Sequence, residues 1–243
     1  MDDWAVVTGG SRGIGQAVCR LLADKGRRII VMDRIRPEHD RVDEFVEVDF
    51  EQPEAAAATL RAAIGDRRVT RLVHNAGICV PASLQSLTLP DVRREIEIST
   101  TSPIALGQVV VPSMKRAGIG RIVTIGSRAA LGKQERTGYS AAKAAMTGIV
   151  RTWALELGRD GITANVVAPG ATRTWMLQAH NEVGGWFERK MNSGIPVGFI
   201  AEPEDIAQAV AFFCSDEARF VTGQVLNVCG GTSVNFLEAD AAA

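Results

Sequence analysis

Seven short runs rich in apolar and β-branched residues punctuate the chain, at 5–7 (AVV), 29–32 (IIVM), 45–48 (FVEV), 71–74 (RLVH), 121–125 (RIVTI), 162–167 (ITANVV) and 224–228 (QVLNV). Between most of them lie segments with a helical apolar period. After Gly13 the apolar positions are Ile14, Ala17, Val18, Leu21 and Leu22, spaced i, i+3, i+4, i+7, i+8, and Gly26 follows as a C-terminal stop. A strand, a helix and a parallel strand join through a right-handed crossover, and repeating the unit covers both faces of the sheet. The alternation therefore predicts an α/β, doubly wound, Rossmann-like parallel sheet, and 243 residues fit a single domain of that kind.

Two stretches break the rhythm. Residues 34–44 (RIRPEHDRVDE) hold a proline and three arginines with little amphipathic pattern, which predicts a loop or a single turn instead of a crossover helix. Residues 171–200 carry Trp175, Met176, Trp186, Phe187 and Met191 among glycines and charges, without a strand pattern, and read as a small inserted lid.

Residues 8–15 (TGGSRGIG) lie directly after the first strand and directly before the first helix. Glycines there let the backbone turn sharply and approach a pyrophosphate, whose charge the free N–H groups of the helix N-terminus meet. Gly9, Ser11, Arg12, Gly13, Ile14 and Gly15 are thus candidate cofactor contacts. Asp33 ends the second strand 18 residues beyond Gly15, near the distance at which an acid meets the adenosine ribose. Its carboxylate can accept both ribose hydroxyls and repels a 2′-phosphate, which favours NAD over NADP. Arg12, Arg34 and Arg36 weigh on the other side, as cations able to pair with such a phosphate.

The stretch GYSAAKAA, at 138–145, sets Tyr139 four residues ahead of Lys143. Four helical residues advance about 6 Å and return to nearly the same face, so both side chains can enter one cleft. An ordinary phenol, with a pKa of about 10, is a poor proton donor and acceptor near neutrality; a nearby ammonium, joined by an oxidised nicotinamide ring, favours the phenolate. Upstream, IVTIGSRAA (122–130) is a strand ending at Ser127, twelve residues before Tyr139, at the sheet edge where such folds place ligands. The expected roles are Tyr139 as general acid/base, Lys143 as its tuner and Ser127 as the donor to a substrate carbonyl.

Taken together, TGGSRGIG, HNAG at 74–77, Ser127, YSAAK at 139–143 and NVVAPGATRT at 165–174 resemble the short-chain dehydrogenase/reductase family in its typical short form, from about Trp4 to Gly231. The resemblance implies seven strands, a nicotinamide cofactor, and Asn75, Ala76 and Gly77 on the adenosine side, with Asp49 and Phe50 bordering the adenine. It implies that Lys143 also holds the nicotinamide ribose, that Pro169, Gly170, Thr172 and Thr174 meet the carboxamide and phosphates, and that the chain forms a homotetramer or homodimer through long helices at about 89–116 and 139–158. Where the family usually has an asparagine that holds a water for proton relay, this chain has Ser99, which implies slower proton exchange with activity retained. His74, Cys229 and Phe199 depart from the family pattern too, as residues of packing or subunit contacts rather than chemistry.

With 27 basic and 28 acidic residues, the chain has no global field to attract nucleic acid or an anionic membrane. Its four cysteines lack CxxC spacing, its first residues are acidic, and no apolar run approaches the ~20 residues of a membrane span. A cytoplasmic enzyme without a metal, acting on a small alcohol or ketone, is the expectation. The lid's large apolar side chains suit an alicyclic, aromatic or steroid-like substrate; Arg128, Arg173 and Arg189 are either solvated or a clamp for a carboxylate or phosphate. Two alternatives share these motifs: an NADPH-dependent 3-oxoacyl thioester reductase, and a catalytically weakened nicotinamide-binding sensor or scaffold.

Overall fold

The computed structural model describes residues 3–179 and 185–234, and, within these, all side chains except those of 178, 179 and 185–187. The side chains of Trp186 and Phe187 therefore lie outside the described residues.

All seven apolar runs are strands: β1 (Trp4–Thr8), β2 (Arg28–Asp33), β3 (Glu44–Glu47), β4 (Val69–His74), β5 (Gly120–Ile125), β6 (Ile162–Pro169) and β7 (Val225–Val228). They form one parallel sheet in the order β3-β2-β1-β4-β5-β6-β7. The order reverses between β1 and β4, and a crevice opens there beyond the C-terminal strand ends. β1, β4, β5 and β6 are buried along their whole length, on both faces of the sheet, so their sequences do not alternate apolar with exposed polar residues; the polar residues within β4 and β5, such as Arg71 and Arg121, are buried too.

Helices α1 (Gly13–Asp24) and α8 (Pro203–Phe213) cover one face around Val18, Leu22, Ile206, Val210 and Phe213. On the other face α2 (Pro53–Ile64), α4 (Ser102–Ala117) and α5 (Thr137–Leu157) pack around Leu60, Leu106, Met114 and Met146. The link from β2 to β3 holds no helix, as its sequence predicts. Among its described residues, segment 171–200 contains two short helices, α6 (Trp175–Ala179) and α7 (Gly185–Ser193).

The helical run expected at 89–116 has an interruption that its apolar period does not announce. α3 (Leu89–Ile96) passes through a π-helical turn, Glu97–Thr101, before α4 begins. Pro103 explains the widening: it has no N–H to donate to the Ser99 carbonyl, and the preceding amide, of Ser102, reaches back to Glu97 instead.

On the opposite face two buried arginines tie helix to sheet. Arg71 of β4 and Arg121 of β5 are register partners. Their Nε atoms donate to the carbonyls of Cys214 (2.6 Å) and Ser215 (3.0 Å), just past α8, and Arg71 pairs with Asp216 at 3.2 Å. Cations at a helix C-terminus satisfy its last carbonyls and oppose its dipole. No helix among the described residues is long and apolar enough to cross a membrane.

Candidate active site

A cavity of about 600 Å³ runs along the C-terminal ends of the strands, from Asp33 and Arg34 at one end to Ser127 and Tyr139 at the other. At the turn from β1 into α1, Gly9 has φ +63° and its amide donates to Met32 O at 2.8 Å. A Cβ on Gly15 would come within 2.1 Å of Gly9 O, so a side chain there would pry the loop from the helix it opens. The N-cap, Arg12, makes no capping hydrogen bond and the first turn of α1 has no acid. Gly9, Arg12, Gly13 and Ile14 line the cavity, leaving the first amides of the helix without a side-chain acceptor, as a pyrophosphate requires.

Ser11 is placed differently. It is buried off the cavity, where its amide donates to Asp33 Oδ2 at 3.1 Å and its hydroxyl donates to Ile35 O. The other Asp33 oxygen accepts from the amides of Arg34 (2.7 Å) and Ile35 (3.3 Å). Three backbone donors thus fix the carboxylate at the far end of the cavity. Of the neighbouring arginines, Arg34 lines this end and approaches Glu51 at 3.8 Å, Arg36 lies over Phe45, and Arg12 stacks 5.2 Å from the Trp175 ring centre.

Asp49, Phe50, Asn75, Ala76 and Gly77 form the wall beside Asp33, and Pro169, Gly170, Thr172 and Thr174 the opposite one. Asn75 is a tie between strands: its Nδ2 donates to Thr8 O at 3.1 Å and Gly9 O at 2.8 Å.

At the other end, Ser127 caps a 3-10 turn, its Oγ accepting from Ala129 N at 3.0 Å. Tyr139 and Lys143 both reach the cavity from the start of α5. The Lys143 ammonium donates to Ile125 O at 2.9 Å and lies 5.8 Å from the centre of the Tyr139 ring. Burial pushes the Tyr139 hydroxyl up to about 12, partly offset by its hydrogen bond with Ser127, and burial pushes Lys143 down to about 8. In the free protein the acidification expected from the lysine is therefore absent: desolvation of the phenolate dominates while the ammonium is committed to Ile125.

A family model described as enoyl-(acyl carrier protein) reductase matches residues 9–233. The chain is 36% identical over 242 residues to the (2S)-[(R)-hydroxy(phenyl)methyl]succinyl-CoA dehydrogenase subunit BbsD of Thauera aromatica, covering 95% of this chain and 96% of the relative. This protein is a short-chain dehydrogenase/reductase. It is also 36% identical over 239 residues to the cis-4-hydroxycyclohexanecarboxylate dehydrogenase of Sinomonas cyclohexanicum, covering 93% and 95% of the two chains. A solved structure from Beutenbergia cavernae, assigned as an NAD(P)-dependent gluconate 5-dehydrogenase and holding NADP, superposes with a TM-score of 0.90 at 31% identity, covering 96% and 97%. The short-chain dehydrogenase/reductase is accordingly an NAD(P)-dependent oxidoreductase acting on CH–OH groups.

Behind the wall that carries Tyr139 and Lys143 sits a second tier. Ser99, on the π turn, is buried with no hydrogen-bond partner for its hydroxyl. A Cβ on Gly77 would meet Lys143 Nζ at 3.1 Å and Ser99 Oγ at 3.6 Å, so the two groups converge there. His74 is buried against Trp153, both ring nitrogens without partners; burial first, and Lys143 second, push it down to about 3, so it is neutral.

Sequence reasoning missed several cavity residues of this short-chain dehydrogenase/reductase: Cys79, Lys133, Arg136, Leu177 and Ile195. Lys133 and Arg136 had a usable signal, since both lie between Ser127 and Tyr139. Of the three arginines considered as an anion clamp, only Arg128 lines the cavity; Arg173 is held by Glu188 at 2.8 Å and Glu202 at 2.7 Å, and Arg189 is exposed away from the lining. Cys229 is buried, its thiol donating to Ser233 at 3.2 Å, and Phe199 is exposed.

Proposed function

We propose that the protein transfers hydride reversibly between NAD and a cyclic or aryl secondary alcohol. The observation that carries this reading is one continuous cavity with the pinned Asp33 carboxylate at one end and Ser127, Tyr139 and Lys143 at the other. When bound, the nicotinamide supplies or accepts the hydride.

Every other requirement falls to this chain's residues. The Tyr139 hydroxyl gives a proton to, or takes one from, the substrate oxygen. Ser127 donates to that same oxygen, held in place by the amide of Ala129. Lys143 stabilises negative charge on the phenol and orients the ribose, its position set by Ile125 O. Ser99, with its unpartnered hydroxyl beside Lys143, holds a water that returns protons to the lysine. Segment 171–200 serves as a lid, with Met176, Leu177 and Met191 presenting apolar surface to the cavity and excluding water. Asp33 selects NAD by leaving no room for a 2′-phosphate's charge. The exposed side chains of Leu155 on α5 and Phe212 on α8 support a homo-oligomer that covers these faces.

A panel of cyclic and aryl alcohols with each oxidised cofactor, followed at the reduced-nicotinamide absorbance, tests the reading. Turnover with NAD is expected. A clear preference for NADPH together with reduction of a 3-oxoacyl thioester would establish the second reading, which 33% identity over 238 residues to the 3-oxoacyl-[acyl-carrier-protein] reductase FabG of Escherichia coli supports.

A further inference from the structure

Eleven residues, Gly126 to Arg136, join β5 to α5, and their charge is unbalanced. Arg128, Lys133 and Arg136 are cationic and Glu135 is the lone acid. All three cations line the cavity that holds Ser127 and Tyr139, whereas Glu135 does not. Other cavity arginines are already engaged: Arg34 approaches Glu51, and Arg12 lies over Trp175. Among the described residues no ion pair engages Arg128, Lys133 or Arg136; the Arg136 guanidinium donates to the backbone carbonyl of Glu135 at 2.9 Å. Arg128 and Arg136 both sit close enough to act on Lys133. Desolvation lowers the affinity of the Lys133 ammonium for its proton, and Arg136 and Arg128 lower it further.

The surroundings say what such a cluster is suited to hold. Ile78, Cys79, Leu177, Met191 and Ile195 give the same cavity apolar surface, and Lys190, which has interactions of its own, also lines it. One acid, Glu95, is buried and acts on Arg136 without forming an ion pair with it. Cations gathered beside an apolar wall with no ion-pair partner repel one another, and an anion delivered into the gap relieves that repulsion while forming charge-assisted hydrogen bonds. Sequence position fixes which ligand brings it. Arg128 follows Ser127 directly and Arg136 precedes Tyr139 by three residues, so the cluster borders the reacting end of the cavity and not the Asp33 end.

We propose that the substrate is a hydroxy acid or oxo acid, whose carboxylate is bound by Arg128, Lys133 and Arg136 while its carbinol faces Ser127 and Tyr139 and its apolar framework fills the space between. This rests on the secondary-alcohol reading above and narrows it to anionic substrates. An anion has a second source, the phosphates of a coenzyme A thioester, and the test separates the two.

The full-length protein with NAD is assayed on 4-hydroxycyclohexanecarboxylate, its methyl ester and its coenzyme A thioester. The free acid is expected to show a kcat/KM at least tenfold above that of the ester, expressed mainly in KM. In Lys133→Met and Arg136→Met that ratio should collapse toward one, and Lys133→Arg should restore most of it. Binding of cyclohexanecarboxylate, which cannot be oxidised at a carbinol, is measured in parallel by calorimetry and should weaken at least tenfold in both methionine variants. If alcohols turn over but the acid has no advantage and cyclohexanecarboxylate does not bind, the clamp is wrong while the alcohol reading stands. If no alcohol turns over yet cyclohexanecarboxylate binds and the methionine variants lose it, the clamp stands and the alcohol reading fails. Preference for the thioester over the free acid, lost in the same variants, overturns the carboxylate in favour of carrier phosphates.

Discussion

The Lys143 ammonium sits 5.8 Å from the centre of the Tyr139 ring and spends a hydrogen bond on Ile125 O, so the cation lies close to the phenol without making it acidic. Burial keeps the hydroxyl up at about 12 in the free protein. Because the chain has a single tyrosine, its ultraviolet titration reports Tyr139 alone. No tyrosinate should appear below about pH 10, the ordinary phenol value, in the free protein, and binding of oxidised NAD should move the transition down. Tyrosinate appearing near pH 8 without cofactor would show that Lys143 suffices by itself. Tyr139→Phe should remove at least about 1,000-fold of kcat, within the range of acid–base catalysis, and leave NAD binding within a few-fold.

Asp33 accepts three backbone amides, from Ser11, Arg34 and Ile35, and so serves the glycine loop as well as the ribose. Asp33→Asn removes the charge and keeps one acceptor oxygen, enough for the amides of Arg34 and Ile35, while its Nδ2 replaces the oxygen that accepts from Ser11. It should shift the NAD to NADP preference toward NADP by about tenfold, or about 1.4 kcal/mol, read as the ratio of dissociation constants by fluorescence titration. An unchanged ratio would remove Asp33 as the selector and leave Arg12 and Arg34 to set it.

Strand positions and the glycine turn were legible because both depend on local sequence: β-branched runs bounded by turns, and glycines where Gly9 needs a positive φ and Gly15 admits no side chain. The π turn was not legible, since a wider turn in a helix leaves the apolar period almost intact; only Pro103, four residues past Ser99, hinted at it. Ser11 reads as a phosphate contact by its place in the motif, yet tertiary structure turns it toward Asp33 and Ile35. Arg173 looked available until Glu188 and Glu202, distant in sequence, claimed it. Lys133 and Arg136 were overlooked because a charged loop resembles any solvated loop until its neighbours are known.

Arg71 is nearly without solvent exposure, and α8 depends on it. Arg71→Met removes the donor to Cys214 O and the partner of Asp216 while keeping most of the side-chain volume. A buried carbonyl left without its donor costs about 1–3 kcal/mol, and removing a buried charge returns some of that. Destabilisation by roughly 1–2 kcal/mol in urea titration is the expected balance, with faster amide exchange at 203–216. A variant as stable as the parent would show that desolvation of the guanidinium cancels the cap.

His74 gives a pH signature with a definite sign. Its folded value is about 3, against about 6.5 for the same side chain unfolded. Between those values the unfolded chain binds a proton that the folded chain refuses, so stability is lost as pH falls from about 6.5 toward 3. From pH 7 to pH 5 the loss from this one group is about 2 kcal/mol. His74→Asn eliminates it, and the asparagine can also supply a donor and an acceptor to the unpartnered hydroxyl of Thr124, its cross-strand neighbour. Glu95, whose carboxyl burial pushes up, contributes an opposite slope, but it is common to both proteins and cancels in the comparison. Urea midpoints at pH 7 and pH 5 should therefore separate for the parent more than for the variant. Equal separations would mean that the buried imidazole takes up its proton without cost, and that it has polar contacts, water included, which keep it close to its ordinary affinity.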